Sequence, residues 1–273
     1  MLAVLTLLLE ICKKKSQLNW FSAKNIDLAK LFEKNYELIS QPISNINFPN
    51  FPLKLIDSNK VVINLVEKNC RNIIEAESQH SDLLPAKYEG GLKIWECTYD
   101  LGKYLLSEKI AFNNKTILDL GCGAGIIGLL ALLQGSLVDF QDYNNEVIEF
   151  VTIPNVILNC YNYKLVEETC KFYTGDWESF SNLLASNSAK SLYDFIFTSE
   201  TIYNPDNHQK LYQIFKQHLK KNGIGYVAGK TYYFGVGGGM RQFEKLVLRD
   251  NIFDVQVVWK SNEGKFNLDQ YMY

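Results

Sequence analysis

Two rhythms of apolar and polar positions divide the chain. From Lys115 onward, short runs rich in β-branched and aromatic residues alternate with amphipathic stretches. The short runs are TILDLG (116–121), SLVDFQD (136–142), KFYTGD (171–176), YDFIFTSE (193–200) and GIGYVAG (223–229). Several are almost continuously apolar, as expected of parallel strands covered on both faces. Between them, GIIGLLALLQG, NEVIEFVTI, SFSNLLAS and HQKLYQIFKQHLKKNG predict helices. The last puts Leu211, Ile214, Phe215, His218 and Leu219 on one stripe, with Gly223 as its stop. After one more helix, MRQFEKLVLRD, the rhythm breaks. FDVQVVW, the turn KSNEGK and FNLDQYMY predict an antiparallel hairpin, not another crossover.

The first 87 residues follow neither rhythm clearly. A helical patch covers Ile26 to Ile39. A loop rich in Asn and Pro follows over Gln41 to Pro52, and Phe48, Phe51 and Leu53 predict that it lies on a surface. KVVINLV, Lys60 to Val66, reads as a strand. The apolar start, Met1 to Leu9, is too short to span a bilayer. Lys13 to Lys15 follow it, where a secretory signal has its basic residues first. It reads as an amphipathic helix or a misassigned gene start. No Ser/Gly linker and no internal repeat occur. The organisation expected is an N-terminal extension, 1–87, and an α/β domain, 88–273.

A parallel sheet that ends in an antiparallel hairpin is the layout of a seven-stranded, Rossmann-like class I methyltransferase. A dinucleotide-binding Rossmann fold ends in another parallel crossover. The turn after the first strand, LDLGCGAGIIG, fits both ligands. Gly123, Gly125 and Gly128 satisfy G-x-G-x-x-G. Asp119, Gly121, Gly123 and Gly125 satisfy D-x-G-x-G-x-G, the S-adenosylmethionine loop. Asp119 would repel a pyrophosphate but suits an amino group and a sulfonium. The methyl donor is favoured.

Ligands of open α/β sheets bind at the carboxyl ends of strands. There the second strand carries Asp142, 19 residues beyond Gly123, placed to accept from ribose hydroxyls. The third carries Gly175, Asp176 and Trp177, the acid suiting an adenine amino group and the indole a ring face. The fourth carries Ser199, Glu200, Thr201, Tyr203 and Asn204, with Pro205 as helix starter. After the fifth, Gly229-Lys230-Thr231 mimics the tail of a P-loop, but Ile224 stands where its first glycine is needed. The loop Gly235 to Gly239 reads as a cover over substrate or as a bulky turn. Upstream, YEGGLKIWECTYDL (88–101) predicts a helix that carries Trp95 and Glu96 and roofs the pocket, with Trp95 equally suited to the core.

Composition narrows the classes further. Hydrophobic residues make up 47%, enough for a full core. The net charge of -2 gives no global case for gripping nucleic acid. Six cysteines form no C-x-x-C, and with three histidines there is no zinc-finger spacing. No metal is expected, and scattered thiols suit a reducing compartment.

Taken together, YEGGLKIWECTYDL, LDLGCGAG, FQDYN, PNV, GDW, TSETIYNP and YYFGVGGG closely resemble the eukaryotic histidine protein methyltransferases, which modify a large-subunit ribosomal protein. The match runs from Tyr88 to Gly239; residues 1–87 match less clearly. The resemblance implies methyl transfer from S-adenosylmethionine to an imidazole nitrogen of a ribosomal-protein histidine. It implies cofactor contacts at Lys93, Ile94, Trp95, Glu96 and Cys97, and at Gly121, Gln141, Asp142, Tyr143, Gly175, Asp176, Trp177 and Ser199. Asp119 and Gly123 join these from the glycine motif. Glu200, Tyr203 and Asn204 are the candidates to orient the acceptor. A monomer acting on protein, without nucleic acid or membrane, in cytoplasm or nucleus, is expected. A lysine methyltransferase of the same fold fits Glu200 to Tyr203 as (D/E)-x-x-Y. An NAD-dependent oxidoreductase and a non-enzymatic ribosome-assembly module compete with it as well.

Overall fold

The computed structural model describes residues 18–29, 43–48, 50–160, 162–186, 192–261 and 270–272. The strands of its central sheet are β1 (Lys24–Asn25), β4 (Thr116–Leu120), β5 (Leu137–Asp142), β6 (Cys170–Thr174), β7 (Tyr193–Ser199), β8 (Leu219–Lys230), β9 (Trp259–Lys260) and β10 (Gln270–Met272). These eight lie in the order β1-β6-β5-β4-β7-β8-β10-β9. A separate hairpin joins β2 (Ile43–Phe48) to β3 (Phe51–Ile56). Strands β4 to β8 pair in parallel, and β10 runs antiparallel to both β8 and β9. The expected class of sheet and its antiparallel end are both present.

Alternation in the strands explains why both faces are covered. Ile117, Phe140, Phe172, Phe197 and Tyr226 belong to one buried cluster. Leu118, Leu120, Tyr173, Ile196 and Val227, of the opposite parity, belong to the other. The first cluster packs against α3 (Glu96–Ser107), α4 (Ile126–Leu132) and α6 (Ile153–Cys160). The second packs against α8 (Trp177–Ser186), α9 (His208–His218) and α10 (Met240–Leu248). Phe140 and Phe172 stack at 5.2 Å across neighbouring strands.

The N-terminal residues that are described share this core. Phe48, Leu53 and Leu55 are buried in the first cluster. The Asn- and Pro-rich stretch expected as a loop is largely the β2–β3 hairpin, turning through left-handed Asn50. Asn155 and Asn159 of α6 bind its backbone at Ile56 and Lys54. Lys60 to Val66, expected as a strand, lies in the helix α1 (Ser58–Glu67). Asp57 caps that helix, and Val61 and Leu65, one turn apart, supply its buried face. Capping and burial there override the strand preference of Val and Ile. A second helix, α2 (Arg71–Ser78), packs beside it.

Three other boundaries differ from expectation. The stripe of α9 ends at His218, and Leu219 already pairs with Tyr193. Gly223 therefore lies inside β8, where the register shifts between Tyr193 and Phe195. FDVQVVW contributes strand only at Trp259, since no ladder among the described residues pairs those before it. The helix at Asn145 is split into α5 (Asn145–Val147), a π-turn (Ile148–Thr152) and α6. A short helix, α7 (Tyr163–Thr169), leads into β6. The expected helix at Met1–Leu9, most of that at Ile26–Ile39 and the turn near residue 263 lie outside the described residues.

Candidate active site

A cavity of about 760 Å³, its open mouth included, lies at the carboxyl ends of β4, β5, β6 and β7. Its floor is the turn from Gly121 to Gly125. Gly121 has φ of 66°, and a Cβ there would lie 2.6 Å from Thr201 Cγ2. Only glycine combines that left-handed backbone with that close approach.

Side chains from three elements hold the turn. Asp142 accepts the Gly123 N–H at 2.9 Å and the Asn144 N–H at 3.3 Å, so one carboxylate ties two loops. Thr152 donates to the Gly123 carbonyl at 2.6 Å, and Asn155 to that of Ala124 at 3.0 Å. The π-turn ends at Thr152, and such turns recur at functional sites. Burial pushes the Asp142 carboxyl up to about 6, against the pull of the Gly123, Asn144 and Tyr143 amides.

Asp119 lies under the turn rather than in the cavity wall. Its carboxyl accepts the Gly128 N–H at 2.8 Å. A Cβ at Gly128 would meet Phe140 at 2.3 Å, so this glycine serves close helix–strand packing. Burial raises Asp119 to about 7. A carboxyl raised in the fold favours folding fully below its unfolded value, near 3.9, and that gain is lost as pH rises to 7. Asp119→Asn keeps the acceptor and removes the charge. Its stabilisation in thermal unfolding is expected to be about 2–3 kcal/mol larger at pH 8 than at pH 5. An equal effect at both pH values would show that Asp119 is not held neutral by burial.

Aromatic and polar groups make one end wall. Tyr143, Gly175, Asp176 and Trp177 line it, while Gln141 stands behind. Gln141 donates to the Gly175 carbonyl at 2.8 Å and accepts from Trp177 Nε1 at 3.0 Å. It orients the indole without reaching the cavity. Both Asp176 oxygens have protein donors: Lys210 Nζ at 2.5 Å and the Glu178 N–H at 3.0 Å.

The N-terminal segment crosses this end. Phe21 donates its N–H to Tyr143 Oη at 3.1 Å and accepts the Asp176 N–H at 2.9 Å. Its ring stacks on Tyr143 at 5.1 Å. β1 then pairs antiparallel with β6, which fixes the segment against the sheet edge. Trp20 thereby reaches the cavity, with Lys210 Nζ 4.1 Å from its ring centroid. Trp20→Ala is expected to weaken S-adenosylhomocysteine binding about tenfold by calorimetry, as loss of one aromatic wall costs on the order of 1 kcal/mol. Unchanged affinity would show that Trp20 only rims the pocket.

Glu89 and Glu200 line the cavity as well. Lys93, Ile94 and Trp95 line the roof, and Trp95 Nε1 donates to the Gly90 carbonyl at 3.1 Å. Glu96 turns outward to Lys230 at 3.2 Å, and buried Cys97 contributes its N–H to Glu200 Oε1 at 3.3 Å. Glu200 has φ of 59° and is only 6% exposed. Its other oxygen accepts from Tyr233 Oη at 2.5 Å. Ser199 lines the cavity and is bonded to Thr98 Oγ1 at 3.2 Å. Tyr203 donates its hydroxyl to Glu89 Oε2, and both line the cavity. Burial raises the Glu89 carboxyl, while the Tyr203 hydroxyl and the Ala86 N–H pull it back. Asn204 is outside the cavity wall and caps the turn Pro205–Asn207 by accepting the Asp206 N–H.

Trp20, Glu89, Thr98 and Asn207 line the cavity without having been singled out by sequence. Glu89 lies beside the quoted Gly90-Gly91 pair and could have been found there. Trp20 offered no local signal. Among the described residues, no group of three or more His, Cys, Asp or Glu converges as a metal site. None of the described helices is long and apolar enough to cross a membrane.

The family model described as lysine methyltransferase matches residues 85–233. The chain is 39% identical to the histidine protein methyltransferase 1 homolog of Bos taurus, over 87% of this chain and 68% of that protein. The chain belongs to the histidine protein methyltransferase family. The Dictyostelium discoideum homolog is 44% identical over 69% of this chain and 58% of its own length. The chain thus spans roughly three-fifths to two-thirds of these relatives. A Streptococcus mutans structure assigned to the S-adenosylmethionine-dependent methyltransferases shares the fold at a TM-score of 0.51 and 10% identity, over 84% of this chain and 55% of that one. This histidine protein methyltransferase family member has the S-adenosylmethionine-dependent methyltransferase fold, and its cavity fits that cofactor in its glycine floor, buried acid and aromatic wall.

Proposed function

We propose that this protein methylates a histidine side chain, and that the acceptor is a large-subunit ribosomal protein. The observation that carries the reading is Glu200, a buried carboxylate that lines the cavity and is held by the Cys97 N–H and the Tyr233 hydroxyl. Relatives at 39–44% identity that bear the histidine protein methyltransferase name support it. The ribosomal acceptor rests on the family resemblance alone. A chain of net charge -2 with its site sunk at the strand ends suits a polypeptide partner more than nucleic acid.

The residues have distinct proposed roles. Asp142 accepts the ribose hydroxyls, and Tyr143 and Trp177 flank the adenine with Asp176 at its edge. Gly121 and Gly123 admit the chain of the cofactor close to the backbone, and Lys93 to Trp95 roof it. When bound, S-adenosylmethionine would supply an electrophilic methyl group carried on its sulfonium sulfur, which leaves as the neutral thioether. A histidine acceptor is mostly neutral at cellular pH, with a pKa of about 6.5, so its lone pair needs no base. Positioning then dominates, with nucleophile and carbon roughly 3 to 3.5 Å apart. Glu200 accepts the N–H of the other ring nitrogen. It thereby selects the reacting nitrogen and stabilises the positive charge that develops on the ring. Tyr203, fixed by Glu89, packs the ring from the side.

Lysine is the second reading, because the matching family model bears that description and Glu200 to Tyr203 fit (D/E)-x-x-Y. A lysine must first lose a proton at a pKa of about 10.4. The deciding assay supplies S-adenosylmethionine with a deuterated methyl group and ribosomal proteins from cells lacking the enzyme. Fragmentation mass spectrometry then locates the label. Heavy methyl on histidine supports the reading. On lysine it overturns the acceptor. No label, with cofactor binding intact, overturns the proposal for these acceptors.

A further inference from the structure

The loop after β8 is fastened to the acceptor end of the cavity and displays an apolar tip. Tyr233 points inward, with its hydroxyl on Glu200 and its ring 6.4 Å from that of Tyr203. Gly238 donates its N–H to the Tyr203 carbonyl at 2.9 Å, and a Cβ there would lie 2.2 Å from the Ile202 carbonyl oxygen. The loop is therefore locked to the Glu200–Tyr203 segment at both points. Between them, Phe234 is 75% exposed and Val236 44%, and Tyr232, just before the first, is 47% exposed. Tyr232 and Phe234 meet edge to face at 5.1 Å, forming one patch. Gly235 and Gly237 have φ of 85° and 88° with open space around them.

The geometry points to this tip as a docking surface for the acceptor polypeptide, specifically for a bulky apolar side chain within one to three residues of the methylated one. This rests on the acceptor entering beside Glu200, as proposed above. A polypeptide that inserts a side chain there must run its backbone across the adjoining rim. Tyr233 and Phe234 are consecutive, so the tip stands within about one to three residues' reach of that path, at roughly 3.3–3.6 Å per residue. Three exposed apolar groups on a loop whose base is rigid are placed for contact, not for the core. A rigid base also avoids ordering the loop at the moment of binding.

The test uses fluorescein-labelled peptides with a central His or Lys, flanked by Leu and Phe or by Ser at positions one to three away. Anisotropy is measured on the full chain saturated with S-adenosylhomocysteine. The wild type is expected to bind apolar-flanked peptides at least tenfold tighter than Ser-flanked ones. Tyr232→Ser with Phe234→Ser should abolish that preference while S-adenosylhomocysteine affinity stays within twofold. Equal affinity for both sets, or no binding of either, overturns the inference. So does a wild-type dimer in sedimentation that the double variant dissociates, since the tip would then be a self-interface. A preference retained with Lys-centred peptides alone would sink the histidine reading and leave the docking surface standing.

Discussion

Replacing Glu200 with Gln is expected to lower kcat by about 10²- to 10³-fold, the usual cost of removing one preorganised charge from a reacting centre. The substitution preserves shape and an oxygen to accept the Cys97 N–H, now at 3.3 Å. What it removes is the negative charge opposite a ring that becomes cationic. S-adenosylhomocysteine affinity should stay within about threefold, because the proposed cofactor contacts lie on Asp142 and the aromatic wall. A fall in affinity matching the fall in kcat would make Glu200 a cofactor residue. Unchanged kcat would remove it from the mechanism. Glu200→Ala is a harsher variant, since it strands the Cys97 amide and the Tyr233 hydroxyl in a buried place.

Asp142→Ala is expected to weaken S-adenosylhomocysteine by about 100-fold or more. Two hydroxyls bonding a carboxylate contribute on the order of 1.5 kcal/mol or more each, and each 1.4 kcal/mol is tenfold. The loss also frees the Gly123 and Asn144 amides, which loosens the turn under the ligand. The pH dependence has a defined sign. Burial sets the free carboxyl at about 6, so it is ionised and competent above that value. Affinity measured calorimetrically should be flat above pH 7 and fall as pH drops through about 6. In Asp142→Asn that pH dependence should vanish. A wild-type profile flat from pH 5 to 8 would exclude Asp142 as the ribose acceptor.

The two carboxylates of the glycine motif illustrate how far a pattern reaches. Asp119 and Asp142 were both legible as acids at strand ends, because strand, turn and helix are short-range structures with period and composition signals. Their orientation was not. Asp119 turns beneath α4 to the Gly128 amide, while Asp142 turns over the turn to Gly123. Nothing local distinguishes the two. Likewise Asn204 read as a site residue, yet its side chain completes a backbone cap three residues before Asn207 reaches the wall. Asn favours both tasks for the same reason, a short polar arm close to the backbone.

Sequence by itself determined the parallel sheet, its antiparallel end, the glycine turn and the family. These follow from apolar periodicity and from backbone conformations that only glycine adopts at low cost, and such signals are contained within a dozen residues. Tertiary structure decided the rest. It made a helix of Lys60 to Val66 because a cap and a buried face outweigh the preference of Val and Ile for strands. It brought Phe21 to Asp176 and Glu89 to Tyr203, pairs separated by more than a hundred residues, through pairing along one sheet edge and closure of one roof. Contacts of that separation are set by which surfaces can be buried together, and no window of sequence contains both partners.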